Sequence, residues 1–183
     1  MTFTRWLYIA GSVFVTGMFI GSLLPAGAIA EELSIFDELA GETQSLSGAG
    51  LLVFILLNNV TAFMMAFLVA PLLLLLPLAS LFLNGAVITL VSRLVLEDQS
   101  IGFLMAGLLP HGVIEIPAYI LAMAASLSFG FAVLRGLFRP AYRPQVLPEF
   151  KTNLRRLGIA LTLLVPAALI ESFITPLFIG WFG

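Results

Sequence analysis

His111 and Glu115 stand four residues apart in the stretch "PHGVIEIPAY", residues 110–119, inside an otherwise apolar run. On a helix that spacing places an imidazole and a carboxylate on one face, within contact range. Pro110 suits the first position of a helix, where the terminal dipole favours a carboxylate nearby. Pro117 removes a backbone donor and frees the carbonyl of Val113, and Pro176 does the same to Ser172. A helix opened beside a buried carboxylate is one way in which membrane proteins line a cavity. The other strongly polar side chains within apolar runs are Asn58 and Asn59 in "LLNNVTA", Asn84 in "LFLNGAV" and Glu171 in "LIESFIT". A charge at the bilayer centre costs about 2.5 to 3.5 kcal/mol on insertion scales, so these groups must face the protein interior or a wet cavity.

This inventory limits the chemistry. A zincin helix needs two histidines, and the chain has one. His111, Glu115 and Glu171 form a set that can hold a divalent metal ion, with amides or water completing the shell. The same three residues suit a proton relay. No nucleophile motif of the G-x-S-x-G type accompanies the histidine, and P-loop and dinucleotide motifs are missing. The chain is therefore expected not to be an enzyme, with an intramembrane hydrolase using a metal held by the same three residues as the alternative. Amides such as Asn58, Asn59 and Asn84 also serve as hydrogen-bonding glue between helices, and a His–Glu pair can be a structural clamp.

The elements that must position these groups follow from composition. Of 183 residues 61% are hydrophobic and 10% charged, whereas a soluble domain carries about 25% charged residues. The chain reads as one transmembrane domain over residues 1–183, all-α, a bundle of about five spans. Nucleic-acid binding has no motif or basic fold to support it, and without cysteines there are no disulfides or thiol ligands. Span one is expected over residues 6–30. Ala28-Ile29-Ala30 resembles a signal-peptidase site, but the apolar run up to Leu24 exceeds the roughly 7 to 15 residues of a signal core, so the segment is expected to be retained. Residues 31–49 form an acidic loop with Glu31, Glu32, Asp37, Glu38 and Glu42. Spans two and three are expected over 50–69 and 71–94, with a turn at Ala70-Pro71. Residues 101–134 are too long for one straight crossing, and Pro110 predicts a short broken or re-entrant helix over 101–109 ahead of span four. Span five is expected over 157–182. By helical rise, Asn58, Asn84 and Glu171 each lie about 12 to 15 Å from the same side of the membrane.

Six of the eight basic residues fall in 135–156: Arg135, Arg139, Arg143, Lys151, Arg155 and Arg156. The positive-inside rule makes this the cytoplasmic loop, extended at first through its prolines, with a short interfacial helix after them. A cytoplasmic N-terminus, an external acidic loop and an external C-terminus follow. Arg93 then falls at the outer end of span three, with Glu97 four residues on as its partner. Glycines 11, 17 and 21 predict close helix approach.

The segments "NNVTA", "NG", "HGVIEIPA" and "IESFITP", in that order within a five-span chain, resemble the stage II sporulation protein M family of integral membrane proteins. That resemblance implies a multi-pass fold and importance for His111, Glu115, Asn59 and Glu171. In endospore formers it implies a membrane member of a cell-wall-degrading complex that anchors partner hydrolases. Relatives are widespread outside spore formers, so the sporulation role is not carried over. The expected function is a scaffold or permease-like component of a membrane complex. The alternative is a channel or transporter for a small ion, proton or divalent metal, using Glu115, His111 and Glu171. Membrane lipid and further copies of the chain or other membrane subunits are the expected partners.

Overall fold

A computed structural model describes residues 1–25 and 47–181 of the chain. Most of the expected acidic loop and the Ala28–Ala30 site lie outside the described residues. Within them, α1 spans Phe3–Leu23, α2 Gly48–Val69, α3 Leu75–Asp98, α4 Ile101–Phe138 and α5 Arg143–Leu169. A π-helical turn, Ile170–Ile174, continues α5 into a short α6, Thr175–Ile179. No strand occurs among the described residues, and five of their helical segments are long and apolar enough to cross a membrane.

Helix ends follow local chemistry. Ser47 caps α2 by accepting from the Gly50 N–H, and Ser100 caps α4 by accepting from Phe103. Leu24 and Pro25 stop α1, because the residue before a proline is pushed out of the helical region. The turn between α2 and α3 occupies residues 70–74, so α3 starts four residues later than expected and runs on through Glu97 and Asp98.

The break expected at Pro110 does not occur. α4 is one helix of 38 residues, about 57 Å long, with Pro110 and Pro117 inside it. Each proline forfeits one ladder bond, at a cost of about 3 kcal/mol. A break at membrane depth would expose several backbone groups, each costing several kcal/mol in hydrocarbon, so the intact helix is the cheaper solution. His111 and Glu115 therefore sit within the helix body, and the terminal dipole expected to favour Glu115 is not there. The basic stretch is helical as well. Only Arg139 separates α4 from a single 3-10 turn, Pro140–Tyr142, and α5 begins directly after it. Pro140 and Pro144 occupy first-turn positions, where their missing N–H groups lack intrahelical acceptors anyway.

α4 is the axis of the bundle and touches all the other described helices. Its middle is buried all round, from Ala122 to Gly130. Alanine, serine and glycine dominate there, letting neighbours close in where no hydrophobic drive distinguishes helix from lipid. Phe67 stacks on Phe129 at 5.0 Å between ring centroids, and Phe150 packs against both. α4 and α5 form an antiparallel hairpin. α1 and α3 run parallel, with Gly17 against the Phe82 backbone, Gly21 against Ala86 and Gly85 against Phe14. A Cβ at Gly17 would stand 2.1 Å from the Phe82 carbonyl oxygen, so this crossing is closer than any side chain allows; Gly11, by contrast, faces open space. Arg93 does not turn to Glu97. Its guanidinium donates to the carbonyls of Ser22 at 2.9 Å and Leu24 at 2.7 Å, closing the C-terminal end of α1 with a cation.

Candidate functional site

α4 offers one polar stripe, His111, Glu115 and Tyr119, at successive spacings of four. Three other helices meet it. From α2, the Asn59 amide donates to Glu115 Oε1 at 3.1 Å. From α3, Ser80 and Asn84 both reach Tyr119: the Ser80 and Tyr119 hydroxyls are 2.6 Å apart, and Asn84 Nδ2 donates to the Tyr119 hydroxyl at 3.0 Å. The same Nδ2 donates to the Ser80 carbonyl at 2.9 Å. From the π-helical turn, Glu171 pairs with His111 through Nδ1.

The turn that carries Glu171 has a local cause. The Thr175 N–H bonds back five residues to the Ile170 carbonyl, and Pro176 follows with no N–H to give. Slipping the ladder by one residue just ahead of a proline therefore wastes fewer bonds than it would elsewhere. Single π-turns of this kind are frequent at functional sites.

Between α2, α3 and α4 lies a cavity of about 420 Å³. Asn58, Asn59, Asn84, His111 and Glu115 line it, together with Ser80 and Tyr119. Its remaining wall is apolar, including Phe14 and Phe63, whose ring centroids lie 6.2 and 5.8 Å from that of Tyr119. The common level expected for the polar residues thus becomes a shared space for five of the six. Glu171 stands behind His111 and reaches the cavity only through it. Ser80 and Tyr119 were not singled out in the sequence. Tyr119 ends the quoted stretch at the next spacing of four, the one signal that could have found it.

The three-residue metal set is not assembled. Among the described residues no group of three His, Cys, Asp or Glu side chains is arranged to hold a metal ion. His111 is committed to Glu171, and Glu115 to Asn59.

A second polar group lies at the other end of the hairpin. Asn153 on α5 is fully buried and donates to the Glu149 carbonyl at 2.9 Å and the Glu149 carboxylate at 3.2 Å. Its oxygen accepts from Arg156 at 2.8 Å, and the Arg156 guanidinium lies 3.6 Å over the Phe3 ring. Arg135, also near the N-terminal residues, covers the Tyr142 ring at 3.4 Å. The stretch expected as a short interfacial helix thus carries a buried amide.

Long apolar helices enclosing a polar cavity at membrane depth define a multi-pass α-helical membrane protein. The chain belongs to the stage II sporulation protein M family, which it matches over residues 10–176. It is also similar to an uncharacterized protein of Methanocaldococcus jannaschii, with 30% identity over 98 residues, covering 53% of this chain and 55% of that protein. The chain thus spans little more than half of that relative's length. No solved structure matches it.

Proposed function

We propose that the protein is a permease-like membrane component whose intramembrane cavity receives a small solute carrying positive charge. The observation behind this reading is the cavity of about 420 Å³, with a carboxylate, amides and hydroxyls from three helices around it. Small-molecule sites typically occupy about 300 to 1,000 Å³. A chain that needed only to hold its helices together would have no reason to keep such a space open among costly polar groups. The basic residues of 135–156 set the orientation: their end of the bundle, which the N-terminal residues share, faces the cytoplasm, and the Ser100 end faces outside.

The test is cation flux into liposomes containing the purified protein, compared with empty liposomes and with Glu115→Gln. Flux that depends on the protein and falls at least tenfold in a Glu115→Gln variant of unchanged oligomer size supports the reading. Flux equal to that of empty liposomes refutes it. A scaffold role is the second reading. The ties from α4 to α2 at Asn59–Glu115 and to the π-helical turn at His111–Glu171 favour it, and it predicts that Glu115→Gln lowers the melting temperature without any change in flux.

A further inference from the structure

We propose that the occupant of this cavity is a small organic primary ammonium ion, held at Glu115 and the asparagine oxygens, with its hydrocarbon body against Ile88, Leu108 and Ile116. The inference rests on the cation-handling reading above and names the chemical class of the solute.

The first support is a charge count. The site contains two carboxylates and one imidazole, and neither lysine nor arginine lines the cavity. His111 is spent on Glu171. Glu115, half-buried, is left with the Asn59 amide as its one hydrogen-bond partner among the described residues, and a carboxylate so placed gains from a cation beside it. No Lys or Arg side chain among the described residues stands at the cavity to offset Glu115.

The second is a donor count. Asn59 Nδ2 faces a carboxylate oxygen and Asn84 Nδ2 faces a backbone carbonyl, both of which only accept. These contacts fix the orientation of both amides and leave their Oδ1 atoms as unspent acceptors. Glu115 Oε2 likewise has no donor among the described residues, because Asn59 bonds Oε1. Asn84 also donates to the Tyr119 hydroxyl, which shares a further hydrogen bond with the Ser80 hydroxyl in which either oxygen can be the donor. The polar wall thus offers several unspent acceptors, as suits a ligand with several N–H groups.

The third is size and lining. A bare inorganic cation would leave most of about 420 Å³ to water, since each water takes about 30 Å³ of liquid volume. Yet the rest of the lining, including Ala62, Ile88, Leu108 and Ile116, is aliphatic, which suits a hydrocarbon body. An ammonium head on a short chain of carbons satisfies both walls.

The probes are n-butylammonium, ammonium, tetramethylammonium and butyrate, titrated into detergent-purified protein with thermal unfolding as the readout, since a ligand that binds the folded state raises its melting temperature. Butylammonium should stabilise the protein saturably, with an affinity roughly tenfold or more above that of tetramethylammonium, which has no N–H, and butyrate should have no effect. Glu115→Gln should weaken butylammonium roughly tenfold. Because that variant also alters a helix contact, Asn58→Asp is the second probe. Asn58 lines the cavity and takes part in no hydrogen bond to the described residues, so an added carboxylate there should tighten butylammonium several-fold in an otherwise unchanged fold. Equal affinity for tetramethylammonium and butylammonium, or binding of ammonium alone, overturns the inference. Inorganic cation flux in the liposomes together with no stabilisation by butylammonium overturns it while leaving the permease reading in place. Absence of both flux and binding removes the two together.

Discussion

Replacing Gly17 by alanine measures how closely α1 and α3 must approach. A Cβ there would stand 2.1 Å from the Phe82 carbonyl oxygen, whereas a close carbon–oxygen contact is about 3.3 Å, so the helices must part locally by roughly 1 Å. Overpacking of this kind costs about 1 to 3 kcal/mol. Alanine also gains up to about 1 kcal/mol over glycine in helix propensity, which would mask part of the loss. Gly11→Ala supplies the control on the same helix, because nothing lies within 4 Å of a Cβ there. The difference between the two variants isolates the contact. Gly17→Ala should melt below Gly11→Ala by on the order of 5 °C, taking about 2 to 4 °C per kcal/mol for a chain of this size. The assay is thermal unfolding in detergent followed by tryptophan fluorescence, to which the buried Trp6 on α1 contributes. Adding Gly85→Ala on the facing helix should then cost less than it does alone, since the helices have already separated. Equal melting of Gly11→Ala and Gly17→Ala would refute the claim that backbone contact sets this crossing.

Tyr119→Phe removes the shared partner of Ser80 and Asn84 and should cost about 1 to 2 kcal/mol, seen as a lower melting temperature with unchanged oligomer size. Asn153→Leu should cost about 1 to 3 kcal/mol, because it strips Arg156, Ser128 and Glu149 of a partner; Asn153→Ala in an Arg156→Ala background should cost less than in the wild type. Thr175 is buried and its hydroxyl has no partner among the described residues. Thr175→Val should therefore be neutral or stabilising by up to about 1 kcal/mol in the same melting assay.

The spans were legible because membrane helices have to be long and apolar, and the polar level was legible because rise per residue is fixed. What distance along an axis does not contain is azimuth. Asn59 and Asn58 lie at nearly one depth, yet only Asn59 bonds Glu115, and nothing in "LLNNVTA" chooses between them. Pro110 misled because residues 101–134 are too long for one straight crossing and the proline offered a break, whereas a break in lipid leaves backbone groups unmet and the helix runs on as one piece of 38 residues. The prolines of the basic stretch misled because three in nine residues suggest an extended chain, whereas Pro140 and Pro144 fall in first turns and Pro148 is carried inside α5. Tyr119 and Ser80 were missed because an aromatic ring or a hydroxyl in an apolar run ordinarily packs or bonds its own helix. Asn153 was hidden among charges that pointed to a surface.

The closure of α1 by Arg93 has a consequence for the order of synthesis. The two carbonyls that end α1 accept from a residue lying 71 and 69 positions later in the chain. At about 5 to 20 residues per second, the first helix waits roughly 3 to 14 s before the group that completes it has even been made. The glycine contacts along the same crossing wait nearly as long. A newly inserted α1 is consequently a helix with an open end and a bare glycine face, held in the bilayer by its own apolar length alone, and α3 arrives as the element that finishes it.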